Sequence, residues 1–247
     1  MRWITLPHQL NNRKFTRAVV FVHGLNGSAA SWRGGPNRFV DLLSRERPIY
    51  NHFGLFVFEY QTKIPELGPV EKLFALIPGA SEIAQKAKFN VDMRRVAMQL
   101  KASLSDLLEG YKTIVLVGHG MGGLVIKRAL VEMNEAELKR IRLFISLAAP
   151  PAGAAPVAVP PAGATPVAVP SAGAALPSIP AKAYADFTSK LDNRFSRITS
   201  PPESCYIDSD DTSDAVLEID DPNTHVAFNK VLALLLSLMP GDNGSPG

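Results

Sequence analysis

TIVLVGHGMGGLVIKRALVEMN, residues 113–134, decides the fold of this chain. Its first five residues form an apolar run, which is typical of a strand buried on both faces of a sheet. Glycines crowd into residues 118–123, and from Leu124 onward apolar residues recur at helical spacing. The stretch therefore predicts a strand, a sharp turn and a helix in direct succession.

The rest of the chain repeats this alternation of apolar runs and amphipathic stretches. Strands are predicted at 18–22, 54–60, 113–117, 141–147, 205–207 and 216–219. Helices are predicted at 81–89, 121–134, 184–191 and 226–239, with a further helix that Asn90 caps and Gly110 ends. Buried strands alternating with such helices predict an α/β fold, a mostly parallel sheet with helices on both faces.

A tandem repeat of ten residues interrupts this pattern at 150–180, with PAGAAPVAVP followed by PAGATPVAVP. It carries no charge and too many prolines for a helix interior or a sheet centre. Two interpretations stay open, an expansion tolerated in a surface loop and a lid over a binding site. The predicted organisation is one domain over 1–247, with its core at about 17–149 and 181–239, this low-complexity insert, and a disordered tail at 240–247.

Composition narrows the classes of function. Lys and Arg number 26 against 23 Asp and Glu, a formal net charge of +3, so binding to nucleic acid is not expected. Cys205 is alone and can form no internal disulfide, which suits a reducing compartment. No stretch approaches the roughly 20 apolar residues that span a bilayer, and no signal peptide is evident. A cytoplasmic protein without transmembrane segment, metal or cofactor is expected, and its oligomeric state is left open.

Residues 118–123, GHGMGG, match the pattern G-x-S-x-G of a nucleophile elbow in every position except one. In an elbow, the sharp turn between strand and helix exposes the hydroxyl of the serine. Gly120 occupies that serine's position here. The chain therefore carries the frame of a nucleophilic site without the attacking atom.

Four segments carry a family resemblance: VVFVHGLNGSAASW (19–32), IVLVGHGMGGLVIKRAL (114–130), FISLAAP (144–150) and THVAFNK (224–230). On these segments the chain resembles the α/β-hydrolases of the serine esterase and lipase class. It is most similar to the branch of GPI inositol-deacylase-like and related lipase-like proteins. The likeness covers about residues 17–239 apart from the repeat, and it implies an α/β-hydrolase fold with the Pro/Ala-rich insert in the lid region.

The resemblance implies a role for several residues. The N–H groups of Leu25 and Met121 are the expected oxyanion hole, which stabilises the tetrahedral intermediate of acyl transfer. His225, just before the last helix, is the expected general base. His23 is expected to brace the oxyanion loop. Gly120 marks the position of the nucleophile.

The acid that orients the histidine is expected before His225 in the chain. Asp211 is the first candidate, because a turn follows it, and Asp210 and Asp208 are the alternatives. An acidic, solvated loop is a further interpretation of this segment. Asp220 and Asp221 lie too close to His225 in sequence to be preferred. Ser28, Ser31 and Cys205 are poor substitutes for the missing hydroxyl, since capping and packing explain them.

Three functions remain open on this evidence. The first is a serine esterase or lipase, acting on carboxylic esters or lipid-like molecules through an acyl-enzyme, whose nucleophile has been replaced. The second is a pseudohydrolase that binds a ligand or a protein partner. The third is a weak hydrolase in which His225 activates a water molecule. The substrate and its acyl-chain length cannot be predicted.

Overall fold

The computed structural model describes residues 3–5, 15–24, 27–60, 80–148, 181–207 and 217–239. The strands are β1 Trp3–Thr5, β2 Arg17–Val22, β3 Phe53–Phe58, β4 Thr113–His119, β5 Ile141–Leu147 and β6 Glu203–Ile207. The helices are α1 Ala29–Trp32, α2 Phe39–Leu43, α3 Arg47–His52, α4 Ala80–Gly110, α5 Met121–Val131, α6 Glu135–Leu138, α7 Ala181–Phe195 and α8 Val226–Ser237.

The described strands form one sheet in the order β1-β3-β2-β4-β5-β6. β1 pairs antiparallel with β3, and every other pair is parallel. β2 and β4 run in register from Arg17 opposite Thr113 to Val22 opposite Gly118. Because parallel strands end at the same edge of a sheet, the residues that follow Val22 and Gly118 are brought together there.

Helices cover both faces of the sheet, as the alternating pattern predicts. One core lies under α4, α5 and α7, and includes Leu100, Leu124 and Tyr184. The other lies under α1, α2, α3 and α8 and includes Trp32 and Phe228. Side chains alternate between the two cores along β2 and β4, so these central strands are buried on both faces.

The predicted strands at 18–22, 113–117, 141–147 and 205–207 are confirmed, each within two residues at either end. β3 ends at Phe58, two residues before the prediction, because the Tyr60 N–H donates to the His23 ring instead of to a neighbouring strand. The strand predicted at 216–219 is wrong in its described part, where Glu218 forms only an isolated antiparallel bridge with Arg38. β1 was not predicted at all.

The predicted break at Asn90 is also wrong, since α4 continues through it from Ala80 to Gly110. A polar N-cap is worth about 1 kcal/mol. Continuing the helix instead gives the N–H groups after Asn90 acceptors within the helix, at a propensity cost for asparagine of no more than about 0.7 kcal/mol. The apolar stripe that follows lies wholly after Asn90 and is buried in the continuous helix. The buried members of that stripe are Met93, Val96, Ala97, Leu100 and Leu104.

The insert at 150–180 and the tail at 240–247 lie outside the described residues, and both remain predictions. Within the described part of the chain, none of the helices combines the length and the apolar character that a membrane crossing requires.

Candidate active site

Gly120 forms the sharp turn between β4 and α5. Its backbone angles are φ 50° and ψ −119°, in a region that residues with side chains rarely occupy. The N–H of Gly120 donates to the carbonyl of Leu147 at 2.9 Å, and the Gly123 N–H donates to the Gly120 carbonyl at 3.1 Å. The sharp turn expected of a nucleophile elbow is thus present, with glycine, which adopts these angles without strain, at its apex.

The glycines on either side of Gly120 are required by close backbone contacts. A Cβ on Gly118 would lie 2.5 Å from the Gly123 nitrogen, and a Cβ on Gly122 would lie 2.3 Å from the Val22 carbonyl oxygen. A Cβ on Gly120, by contrast, would meet no heavy atom of the described residues within 4 Å. The turn therefore excludes side chains at both flanking positions and leaves room for one at the apex.

The loop after β2 lies directly against this turn. A Cβ on Gly24 would be 3.1 Å from the His119 carbonyl oxygen, and a Cβ on Gly122 would be 2.6 Å from the His23 carbonyl oxygen. Met121, the other expected oxyanion donor, is the first residue of α5, where backbone N–H groups have no acceptor within the helix. Leu25 lies outside the described residues.

His23 braces this loop, as the resemblance implies. It is fully buried, and its Nδ1 lies 2.9 Å from the Gly24 carbonyl oxygen. Its Nε2 accepts the backbone N–H of Tyr60 at 3.2 Å. Tyr60 is a residue that sequence reasoning missed. The available signal was a buried aromatic residue with a polar tip at the carboxyl end of a strand next to the His-Gly pair.

His225 is placed at the N-cap of α8. Its Nδ1 accepts the backbone N–H of Phe228 at 3.2 Å. A neutral imidazole whose Nδ1 accepts a hydrogen bond carries its proton on Nε2. A triad base needs the opposite tautomer, with Nδ1–H donated to the acid. The described arrangement of His225 is therefore a helix cap, and service as a base requires the ring to leave Phe228.

A chain of aromatic rings connects the first turn of α8 to the elbow. Phe228 packs against Phe39 at 5.4 Å between ring centroids, Phe39 against Trp32 at 5.8 Å, and Trp32 against His119 at 6.4 Å. His119 itself is buried beside the turn. These ring contacts connect α8, which begins after His225, to His119, the last residue of β4 before Gly120.

The pH dependence of stability should report the state of His225. Burial lowers the pKa of its imidazole below the ordinary 6.5, and a backbone hydrogen bond offsets part of this shift. With a lowered pKa in the folded state, stability is complete above about pH 6.5 and falls as the pH drops from there toward the folded-state pKa. Protonation also removes the acceptor for Phe228 and sets a positive charge at a helix N-terminus.

We expect urea unfolding to show a small loss of stability between pH 7.5 and 5.5 that is absent from the His225→Asn protein. The loss should not exceed the value of a polar N-cap, about 1 kcal/mol. Equal pH dependence in the two proteins would contradict this assignment.

The three candidate acids, Asp211, Asp210 and Asp208, lie outside the described residues and stay predictions. Asp221 is described, and it shapes the turn before His225. Its carboxylate accepts the Asn223 N–H at 2.9 Å, and its carbonyl accepts the His225 N–H at 3.2 Å. These bonds give Asp221 a turn-forming role in this arrangement.

The three residues considered as substitutes for the missing hydroxyl, Ser28, Ser31 and Cys205, have structural contacts of their own. Ser28 caps α1 by accepting the Ala30 N–H, and Ser31 completes the capping box. Cys205 packs half-buried against the second core. These contacts agree with the capping and packing roles expected for the three residues.

Comparison with known proteins agrees with this geometry. Residues 12–158 match the family model described as "Putative serine esterase (DUF676)". The chain belongs to this family, and it has the α/β-hydrolase fold of the serine esterase class. No curated protein is similar enough in sequence to match the chain.

Several solved structures are similar at low identity. Bacillus licheniformis lipase BlEst2 in its mature form is 18% identical with a TM-score of 0.39, covering 60% of this chain and 47% of its own. A structure from work on the metagenome-derived lipolytic enzymes LipS and LipT is 12% identical with a TM-score of 0.48, covering 95% and 97%. Est1E from Butyrivibrio proteoclasticus is 14% identical with a TM-score of 0.29, covering 57% and 43%. The chain thus spans less than half the length of BlEst2.

Proposed function

We propose that this protein is a hydrolase of the serine esterase type that lacks its nucleophile, and that it binds ester- or lipid-like molecules at the elbow without forming an acyl-enzyme. The observation that carries the proposal is Gly120: its backbone has the elbow conformation that residues with side chains rarely adopt, and no described residue lies within 4 Å of the position where a serine Cβ would stand. Membership of the serine esterase family supports the same chemistry.

A serine at position 120 would supply the missing step. His225 would take the proton from the serine hydroxyl, and the oxygen would attack the ester carbonyl carbon. The N–H groups of Met121 and Leu25 would stabilise the resulting oxyanion, and His225 would return the proton to the departing alcohol. Water would then hydrolyse the acyl-enzyme. With glycine, only the binding and oxyanion contacts of this sequence remain.

The pseudohydrolase alternative rests on the same residues. In this alternative the protein is a module that binds a ligand or a protein partner, and it is supported by the capping role of His225 and by the glycine at 120, since neither residue is arranged to attack a substrate. A weak water-activated hydrolysis is the limit of what such a site provides. Loss of a triad nucleophile leaves about 10³–10⁴-fold acceleration over water, against a loss of about 10⁶ in kcat.

The test is a paired assay of this chain and its Gly120→Ser variant on p-nitrophenyl esters of several acyl-chain lengths. We expect serine to raise turnover by at least about 10³-fold, a conservative fraction of the loss recorded when a triad serine is removed. Gly120→Ala is the matched control, since it adds the Cβ at the same strained position without the hydroxyl. Equal turnover of the serine and alanine proteins would overturn the esterase proposal.

A further inference from the structure

Tyr60 holds His23 through three contacts. The phenolic hydroxyl of Tyr60 donates to the His23 carbonyl at 2.8 Å, and its backbone N–H donates to His23 Nε2 at 3.2 Å. The two rings stack with their centroids 4.2 Å apart and an angle of 7° between their planes. Burial raises the pKa of the Tyr60 hydroxyl far above its ordinary value, so it stays a proton donor at any working pH.

These contacts fix which nitrogen of His23 carries the proton. Because Nε2 accepts from the Tyr60 N–H, the proton of the neutral ring lies on Nδ1. Nδ1–H then donates to the Gly24 carbonyl, 2.9 Å away. His23 is fully buried, and burial favours this neutral form. The ring therefore acts as a rigid link between Tyr60 and the backbone of the loop.

The Gly24 carbonyl accepts the last hydrogen bond of this series, and it belongs to the residue directly before the expected oxyanion donor. It accepts the N–H of Gly27 at 3.2 Å as well as the His23 ring. These hydrogen bonds hold the Gly24 carbonyl, in the residue directly before the one assigned by resemblance to the oxyanion hole. A trans peptide group is planar, and its N–H points opposite to its C=O.

We propose that Tyr60 is a positioning residue for the oxyanion hole, which acts through His23 to fix the direction of the Gly24 carbonyl, directly before the expected donor. The proposal rests on the proposed function for the identity of that donor. The hydrogen bonds that carry it join atoms 37 positions apart in the chain, so they are tertiary contacts of this fold.

The first arm of the test needs no activity. Tyr60→Phe removes the hydrogen bond to the His23 carbonyl and keeps the ring and the backbone N–H. The matched control is Tyr184→Phe, because Tyr184 is another tyrosine of the same core, and its buried hydroxyl has no hydrogen-bond partner among the described residues. Hydrogen exchange of the Gly27 amide, followed by NMR in the glycine protein, reports opening of the loop.

We expect Tyr60→Phe to speed exchange of the Gly27 amide at least about tenfold, with amides of β4 and α5 unaffected, since only the loop is released. Tyr184→Phe should leave the Gly27 amide unchanged. Unchanged exchange at Gly27 in the Tyr60→Phe protein would overturn the positioning role.

The second arm measures ester hydrolysis in the Gly120→Ser protein. Removing a whole oxyanion donor costs about 10²–10³-fold in kcat, so misdirecting one should lower kcat about tenfold, with KM within about twofold. Tyr184→Phe should retain the parent kcat. An unchanged kcat in the Tyr60→Phe protein would overturn the proposal. If the serine protein hydrolyses no ester, the proposed function fails, while the exchange arm still decides whether Tyr60 holds the loop.

Discussion

In the Gly120→Ser protein, the further substitution His225→Asn is expected to remove the entire gain in ester hydrolysis. Members of a triad act as one unit, so removing the base costs about as much as removing the nucleophile, up to about 10⁶ in kcat. Asparagine is among the preferred N-cap residues, so α8 keeps a cap for the Phe228 N–H. The loss of activity should therefore come without a loss of stability larger than about 0.5 kcal/mol, the scale of exchange between good caps.

Asparagine separates the two roles that the structure allows His225. If the histidine serves only as the cap seen here, the asparagine protein should keep its activity, and that result would contradict the assignment as base. The control is His52→Asn, at the exposed end of α3, which should change neither activity nor stability. In the parent chain with Gly120, His225→Asn should leave unchanged any residual rate that comes from binding and oxyanion contacts alone, and a fall in that rate would show that His225 activates a water molecule.

The fold could be predicted where local pattern and tertiary packing agree. The apolar run before Gly118 and the glycines after it are sufficient to predict a strand, a turn and a helix. The structure explains the glycines, because a side chain at Gly118 or Gly122 would clash where α5 approaches β4 and β2. At Asn90 a local cap signal competes with continuation of the helix, which gives the following N–H groups acceptors within the helix, and continuation prevails. β1 has three residues, too few for period-two alternation to be recognised.

Some residues of the candidate site could also be predicted from the sequence, and others could not. A short sequence motif locates Gly120, Met121 and the pair His23-Gly24, because these residues directly follow a strand in the sequence. Tyr60 acts on His23 from a neighbouring strand, and no local pattern reports that contact. The tautomer of His225 depends on one hydrogen bond to Phe228, a geometric fact that residue types alone do not contain.

Among alanine substitutions at the glycines of the elbow, Gly122→Ala is expected to lower the stability of the protein most. Its Cβ would lie 2.3 Å and 2.6 Å from the carbonyl oxygens of Val22 and His23. Both atoms belong to backbone, so no side-chain rotation relieves the clash, and α5 must move away from β2. Overpacking of this kind costs about 1–3 kcal/mol, and we expect the upper end, only partly offset by the better helix propensity of alanine.

Comparison with Gly120→Ala separates the effect of the close backbone contact at Gly122 from the general effect of replacing a glycine. Alanine at 120 meets no heavy atom of the described residues within 4 Å but must adopt a positive φ, which costs about 1 kcal/mol. Urea unfolding should therefore rank the proteins as parent, Gly120→Ala, then Gly122→Ala in order of falling stability. If alanine at 122 is tolerated as well as alanine at 120, the close approach of α5 to β2 is wrong. The contact between the His23–Gly24 loop and the elbow, on which the expected oxyanion hole depends, would then be wrong as well.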